Sequence, residues 1–171
     1  IATSAAATKV IDAATASNEI TIEAWVRPDN TTQGGPARIV TLSANPSERN
    51  FTLGQASTAY DVRLRTTTTS VNGIPSISTP GGTLTTELSH VVYTRSAVGE
   101  VRIYKDGVEQ SSGTVSGALS NWNSSHRLAL GNEISLNRPW LGEFHLVAIF
   151  DRVLSEAEVQ QNFQVGPKGD G

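Results

Sequence analysis

Residues 20–27 read ITIEAWVR, a stretch in which every second side chain is apolar: Ile20, Ile22, Ala24 and Val26. A period of two places these side chains on one face of a β-strand. Seven further segments show similar short strand patterns, at 37–43, 50–55, 60–66, 90–96, 101–107, 127–132 and 144–151. Turn residues separate them, and Asp106-Gly107 is the clearest hairpin signal. The chain is therefore predicted to be an all-β antiparallel β-sandwich of the jelly-roll type.

One helix is predicted, near the C-terminal end of this pattern. Ser155 and Glu158 have the spacing of a capping box, in which each residue satisfies a backbone amide of the other. Leu154 precedes the cap and Val159 follows it, so the two side chains can form a hydrophobic staple. The sequence thus predicts one short C-terminal helix that closes the sandwich.

Composition narrows the possible functions. The 171 residues carry 13 Lys plus Arg and 16 Asp plus Glu, a formal charge of −3, and the cations are scattered singly along the sequence. A nucleic-acid-binding domain usually shows a basic stripe, so we expect no nucleic-acid partner. The absence of cysteine excludes a disulfide framework and a thiolate zinc site. No apolar run is long enough to cross a bilayer, so no membrane insertion is expected.

Three segments resemble a known family. They are EITIEAWVRP at 19–28, HVVYTRSAVGEVRIYKDGV at 90–108, and RLALGN at 127–132 followed by PWLGEFHLVAIFDRVLSEAEVQQNF at 139–163. Together they resemble the laminin-G-like, concanavalin A-like jelly-roll domains of secreted bacterial multidomain proteins. The last segment is the most specific, because Gly142, Asp151-Arg152, Leu154-Ser155 and Glu158 all fall at motif positions.

The resemblance implies two packed antiparallel sheets, a concave face or rim that binds glycans, and in many members one calcium ion. Where many relatives carry an aspartate, this sequence has His145. Oxygen donors on loops could hold Ca²⁺. The candidate donors are Asp29 with Asn30, Asn132 with Glu133, and Asp61. Each also has a structural alternative: Asp29-Asn30 and Asn132-Glu133 as turns, and Asp61 as an exposed strand residue.

Sugar binding would use aromatic rings that stack on a pyranose, together with hydrogen-bonding side chains beside them. Trp25 lies within a strand and is predicted to be core, whereas Trp122 and Trp140 lie in loops. A loop-anchoring role that plugs the end of the sandwich is the alternative for both. We predict a ligand site formed by Trp140, Trp122, Arg138, Asn132 and Glu133, with Arg63 and Arg65 on the polar side of their strand.

A glucan hydrolase is a less favoured possibility. Glucanases with this jelly roll place E-x-D-x-E on one strand, and this sequence has Glu19 and Glu23 around Thr21. Residues 19, 21 and 23 point to the same face, and two carboxyl groups about 5 Å apart could perform retaining hydrolysis. Thr21 replaces the middle aspartate, however, and cannot raise the pKa of a neighbouring carboxyl.

The sequence therefore predicts a non-catalytic, lectin-like recognition or adhesion module, with Ca²⁺ as a candidate cofactor. A structural or assembly domain without a small ligand is the alternative. The expected partners are a polysaccharide or glycoprotein glycan and other domains of the same polypeptide. Since methionine is absent even at position 1, we expect a mature product or a domain cut out of a longer chain. The resemblance implies that this longer protein is an exported bacterial one, extracellular, cell-surface or periplasmic. The predicted divisions are a lead-in strand or segment at 1–17, the jelly roll at 18–164, and a linker or Gly-X-Y stalk at 165–171.

Overall fold

The alternating stretch at 20–27 forms the first strand, and its apolar side chains are fully buried between two sheets. The computed structural model describes residues 1–167 of the chain. Its strands are β1 (Ile20–Pro28), β2 (Ala37–Asn45), β3 (Glu48–Ala56), β4 (Ala59–Leu64), β5 (Ile77–Ser78), β6 (Ser89–Arg95), β7 (Glu100–Lys105), β8 (Val108–Thr114), β9 (Arg127–Leu130) and β10 (Gly142–Phe150). Its helices are α1 (Thr8–Ser17) and α2 (Glu156–Val165), with a 3₁₀ turn at Leu119–Asn121.

The strands form two five-stranded sheets. The first sheet has the order β10-β1-β6-β7-β8 and the second has the order β5-β4-β3-β2-β9, and the paired strands are antiparallel. The two inner faces share one core of aliphatic and aromatic side chains. The predicted antiparallel β-sandwich is confirmed, and burial of this apolar surface is the main force that holds the layers together.

The predicted hairpin at Asp106-Gly107 is confirmed. Both residues have positive φ, 52° and 78°, as the two central positions of a type I′ turn require, and they join β7 to β8. Strands β5 and β8 were not among the predicted segments. Strand β5 has only two residues, and β8 reads VEQSSGT, which has no alternating apolar face because it lies exposed at the sheet edge.

Helix α1 is an addition to the prediction. The segment predicted as a lead-in at 1–17 contains this helix, which buries Ile11 and Ala14 in the same core as the strands. The helix ends at Asn18, whose backbone is left-handed (φ 57°) and whose side chain binds Ala97 O and Leu119 N at 2.8 Å each. Two buried side chains in ten are too few for a helical apolar stripe, so periodicity could not reveal α1.

Helix α2 confirms the predicted C-terminal helix and its cap. The Ser155 side chain accepts a bond from Glu158 N, and the Glu158 carboxylate accepts one from Ser155 N at 2.8 Å. Leu154 and Val159 are buried together against Val92 of the first sheet. The predicted linker at 165–171 begins at the last residue of α2, and its residues 168–171 lie outside the described residues. Neither helix within residues 1–167 is long and apolar enough to span a membrane.

Candidate functional site

The outer face of the first sheet is covered by helix α2. Trp25 of β1 stacks on His90 of β6 at a centroid distance of 4.9 Å and on Phe163 of α2 at 5.8 Å. Beside this stack, His90 Nε2 lies 2.7 Å from Glu23 Oε1, and Asn162 Nδ2 donates to the Glu23 carboxylate at 3.2 Å. Trp25 is thus buried, as predicted, but in the contact between sheet and helix.

Glu19, Thr21 and Glu23 point to that same covered face and bind the C-terminal segment. Glu19 Oε2 accepts from Val153 N at 3.1 Å, and Thr21 Oγ1 donates to Arg152 O at 2.7 Å. Glu23 is only 4% exposed. All three side chains therefore bind the C-terminal segment and hold it on the sheet.

The outer face of the second sheet is polar. One register row runs across it from Ala129 of β9 through Thr41 of β2 and Thr52 of β3 to Arg63 of β4. The Thr41 and Thr52 hydroxyls lie 2.7 Å apart. Val62 and Leu64 face the core, whereas Arg63 lies on the polar side of β4, as predicted, and Arg65 directly follows the strand. Ala129, Thr41 and Thr52 of this row are buried, and Arg63 is its partly exposed member.

A buried ion pair lies at one side of this face. Arg38 Nε donates to Glu133 Oε2 at 2.9 Å, and both side chains have 0% exposure. The other carboxylate oxygen of Glu133 accepts from the Ser43 hydroxyl and from Ile134 N. Burial lowers the pKa of Arg38, and the hydrogen bond that Arg38 donates to the Glu133 carboxylate opposes that shift. Glu133 therefore anchors its loop to β2, so the prediction that it contacts a ligand does not agree with its burial.

Arg49 of β3 lies next to this pair and is also buried. It donates to Thr52 Oγ1 at 3.1 Å and to Pro46 O, whereas its Nε has no hydrogen-bond partner within residues 1–167. Burial, followed by repulsion from Arg38 and Arg63, lowers the pKa of Arg49 to about 9. The hydrogen-bond partners of the Arg49 guanidinium group are thus a hydroxyl and a carbonyl, neither of which carries a negative charge.

Arg63 and Arg65 lie at the accessible part of the face, with side-chain exposures of 20% and 16%. Arg63 Nε donates to Asp61 Oδ1 at 3.2 Å. Arg65 Nη1 lies 3.8 Å from Glu48 Oε1, too far for a hydrogen bond. His126 Nε2 lies 3.6 Å from the same oxygen, and burial lowers the pKa of this histidine against the opposing effect of Glu48. The imidazole is therefore neutral at pH 7.

The two loop tryptophans are buried rather than presented to solvent. Trp122 is 7% exposed and donates from Nε1 to Arg65 O at 2.8 Å, while Trp140 is 5% exposed and donates to Gln55 Oε1 at 2.9 Å. A Cβ added to Gly142 would lie 2.3 Å from the Trp140 ring, which explains the glycine at that motif position. The loop-anchoring alternative describes both rings, and neither offers a stacking face.

Asn132 and Arg138 lie at the two ends of the loop that covers Arg38. The Asn132 side chain accepts from Glu133 N at 2.8 Å and from Arg138 N at 3.0 Å, so it shapes this loop. Arg138 is partly exposed and donates from Nη1 to Asn137 O at 3.1 Å, and its charge also lowers the pKa of Arg38. Of the predicted loop residues, Arg138 keeps a partly exposed charged side chain, which packs beside Gly35.

Two of the predicted calcium donors, Asp61 and Asn30, bind neighbouring protein groups. The Asp61 carboxylate binds Arg63 and the Ser78 hydroxyl, at 3.2 and 2.9 Å. Asn30 Oδ1 accepts both the amide and the hydroxyl of Thr32 at 3.0 Å, while Asp29 is an exposed turn residue. Within residues 1–167, no group of three or more histidine or acidic side chains is placed to hold a metal ion. Calcium binding stays a prediction, and no step of the proposed function depends on it.

Four residues of this face were not singled out from sequence: Arg38, Arg49, Glu48 and His126. Arg38 and Arg49 lie within strands, and a charged side chain in a strand is usually predicted to be solvent-exposed. One signal was available in the sequence. In ARIVTLS, Arg38 is the single charged residue of a strand whose other residues are apolar or small. The fold brings these residues together with Arg63, Arg65 and Arg138.

Comparison with known proteins identifies the class. The two sheets and their strand order define a concanavalin A-like sandwich. A family model described as the concanavalin A-like lectin/glucanases superfamily matches residues 2–160, and the chain belongs to this family. No curated protein matches the sequence.

Solved structures share the fold at low sequence identity. One of them is domain 4 of AbnA, a GH43 extracellular arabinanase from Geobacillus stearothermophilus, whose structure was solved in complex with arabinotriose. It is 19% identical to this chain with a TM-score of 0.62, and the match covers 85% of this chain and 66% of that chain. The receptor-binding domain of botulinum neurotoxin type G is 17% identical with a TM-score of 0.63, over 86% and 38%. A protein from Bacteroides ovatus is 17% identical with a TM-score of 0.63, over 86% and 41%. The chain thus spans less than half of two of these proteins.

Proposed function

We propose that this domain is a non-catalytic glycan-binding module that binds carbohydrate on the outer face of the second sheet. The difference between the two outer faces carries the proposal. Helix α2 and an apolar cluster of Val92, Tyr104, Leu154 and Val159 cover the middle of the first sheet. On the second sheet the hydroxyl groups of Thr41 and Thr52 are buried, and the partly exposed polar groups are the guanidinium groups of Arg63 and Arg65. A sugar needs such groups in a fixed arrangement, and strands fix side chains more rigidly than loops do.

The accessible residues of that face suit sugar hydroxyl groups. Arg63 and Arg65 project from the same side of β4, and the partly exposed Asn123 lies at the end of the face, where its Nδ2 donates to Glu48 Oε1 at 3.4 Å. Buried residues beneath them hold the backbone in place through the Arg38–Glu133 pair. The arabinotriose complex of the structurally similar AbnA domain supports a carbohydrate ligand for this fold.

Hydrolysis is not part of the proposed function. Glu19 and Glu23 hold the C-terminal segment, and Thr21 between them binds Arg152 O and Leu154 N. We further propose that the module acts as a recognition or adhesion domain of a larger exported protein, beside other domains of the same polypeptide. The extracellular arabinanase, of which AbnA domain 4 is one part, offers a precedent for that arrangement.

The experiment is a glycan array followed by calorimetric titration of the strongest ligands. Wild type is compared with Arg63→Gln and with Arg102→Gln, a matched control in which an exposed arginine is removed from β7 of the first sheet. We expect binding by wild type and by Arg102→Gln, and weaker binding by Arg63→Gln. Silence of wild type across the array would leave the structural or assembly domain as the better account.

A further inference from the structure

The outer face of the second sheet concentrates positive charge in a protein whose net charge is −3. Five arginines belong to this face or to the loop beside it, together with three carboxylates, those of Glu48, Asp61 and Glu133. We call this group of arginines the arginine face: Arg38, Arg49, Arg63, Arg65 and Arg138. Only Arg63 and Arg65 are close in the sequence, so the charge pattern indicated that pair but not the other three arginines.

We propose that the arginine face selects glycans bearing carboxylate or sulfate groups, and that Arg63 and Arg65, its partly exposed members on neighbouring outward positions, contact the anionic group. This inference rests on the proposed function and names the ligand class of the same site. Guanidinium groups match the planar or tetrahedral oxygens of such anions through paired N–H donors, which a neutral sugar cannot exploit equally.

Unsatisfied donors are the first support. The Nε of Arg49 has no hydrogen-bond partner within residues 1–167, and the same holds for Nε and Nη1 of Arg65 and Nε of Arg138. Arg49 itself is completely buried. Buried donors without an acceptor are costly, and guanidinium groups are rarely left in that state unless a ligand or water completes them.

The arrangement of the carboxylates is the second support. Glu133 and Asp61 are engaged by Arg38 and Arg63, while Glu48 stays 3.8 Å from Arg65 and does not neutralise it through a hydrogen bond. Arg38, Arg49 and Arg63 repel one another. An incoming anion would relieve this repulsion, whereas a neutral glycan would not, so the face discriminates between the two by charge.

Binding of the intact domain to five polymers tests the inference. Polygalacturonate carries carboxylates, dextran sulfate carries sulfates, arabinan and dextran are neutral, and poly-L-glutamate is anionic without sugar. Each is titrated at low and high ionic strength against wild type, Arg63→Gln, Arg65→Gln and the control Arg102→Gln. Circular dichroism spectra confirm that each variant is folded.

We expect at least one anionic polysaccharide to bind about tenfold more tightly than dextran, and this preference to shrink at high salt. Arg63→Gln and Arg65→Gln should each weaken that binding about five- to tenfold, whereas Arg102→Gln should not. Whether polygalacturonate or dextran sulfate binds more tightly identifies the anionic group.

Equal affinity for neutral and anionic glycans would overturn the proposed ligand class and leave the glycan-binding function intact. Equal affinity for poly-L-glutamate and polygalacturonate would overturn it as well, because charge without sugar would then suffice. Absence of binding to every glycan would remove the proposed function itself.

Discussion

Replacing Glu133 with glutamine should strongly destabilise the fold. The side chain is fully buried, accepts from Arg38 Nε at 2.9 Å and from Ile134 N at 3.0 Å, and neutralises a buried guanidinium group. Glutamine keeps the shape and one acceptor oxygen but removes the charge. Loss of one partner of a buried ion pair costs about 3–5 kcal/mol, because the other charge remains buried. For a chain of this length, that lowers the Tm by about 6–20 °C.

The matched control is Glu143→Gln on β10. Glu143 is 59% exposed on its side chain and lies 3.5 Å from Arg27, itself 49% exposed. Such a pair contributes less than about 1 kcal/mol. Urea and thermal unfolding at pH 7 give both differences in the free energy of unfolding. A loss for Glu133→Gln no larger than that for Glu143→Gln would refute the reasoning, since the Arg38–Glu133 pair would then not hold the loop to β2.

Three further predictions concern titration and the C-terminal helix. The Arg152 guanidinium and the Ser155 cap lower the pKa of Glu158 from 4.5 to about 2; its stabilising effect is therefore complete above pH 4.5 and lost as the pH falls toward 2. A carboxyl-detected NMR titration should find this value, and a pKa near 4.5 would contradict the cap. Burial raises the pKa of Tyr60 and Tyr93. Absorbance at alkaline pH should therefore show their ionisation only on unfolding, with stability falling above pH 10; reversible ionisation of all tyrosines near pH 10 in the folded state would count against their burial. Finally, Phe163→Ala should cost about 1–2 kcal/mol through loss of ring stacking, measured by urea unfolding; an unchanged midpoint would mean that the stack does not dock α2.

Much of the fold could be predicted because its signals are local. Alternation at 20–27 places Ile22 and Ala24 in the core, and the Asp106-Gly107 pair specifies its own turn. The Ser155–Glu158 box likewise needs only residues close in sequence. These patterns hold because the physical interactions that they encode act within a few residues.

The site could be predicted only in part, because it depends on contacts between distant residues. Arg38 and Glu133 are 95 positions apart, and nothing near either residue indicates the pair. Trp122 and Trp140 were expected at the ligand because they lie in polar loops. Their indole N–H groups instead bind Arg65 O and Gln55, and these acceptors become neighbours only in the folded chain.

Mapping of a bound glycan by NMR tests the central claim most directly. Backbone amide shifts are followed while the tightest ligand from the array is added to the labelled domain. We predict changes on β3 and β4, strongest around Arg63 and Arg65, with β7 and α2 unaffected. Changes confined to α2 and the first sheet would contradict the account, because the ligand would then occupy the face that α2 closes.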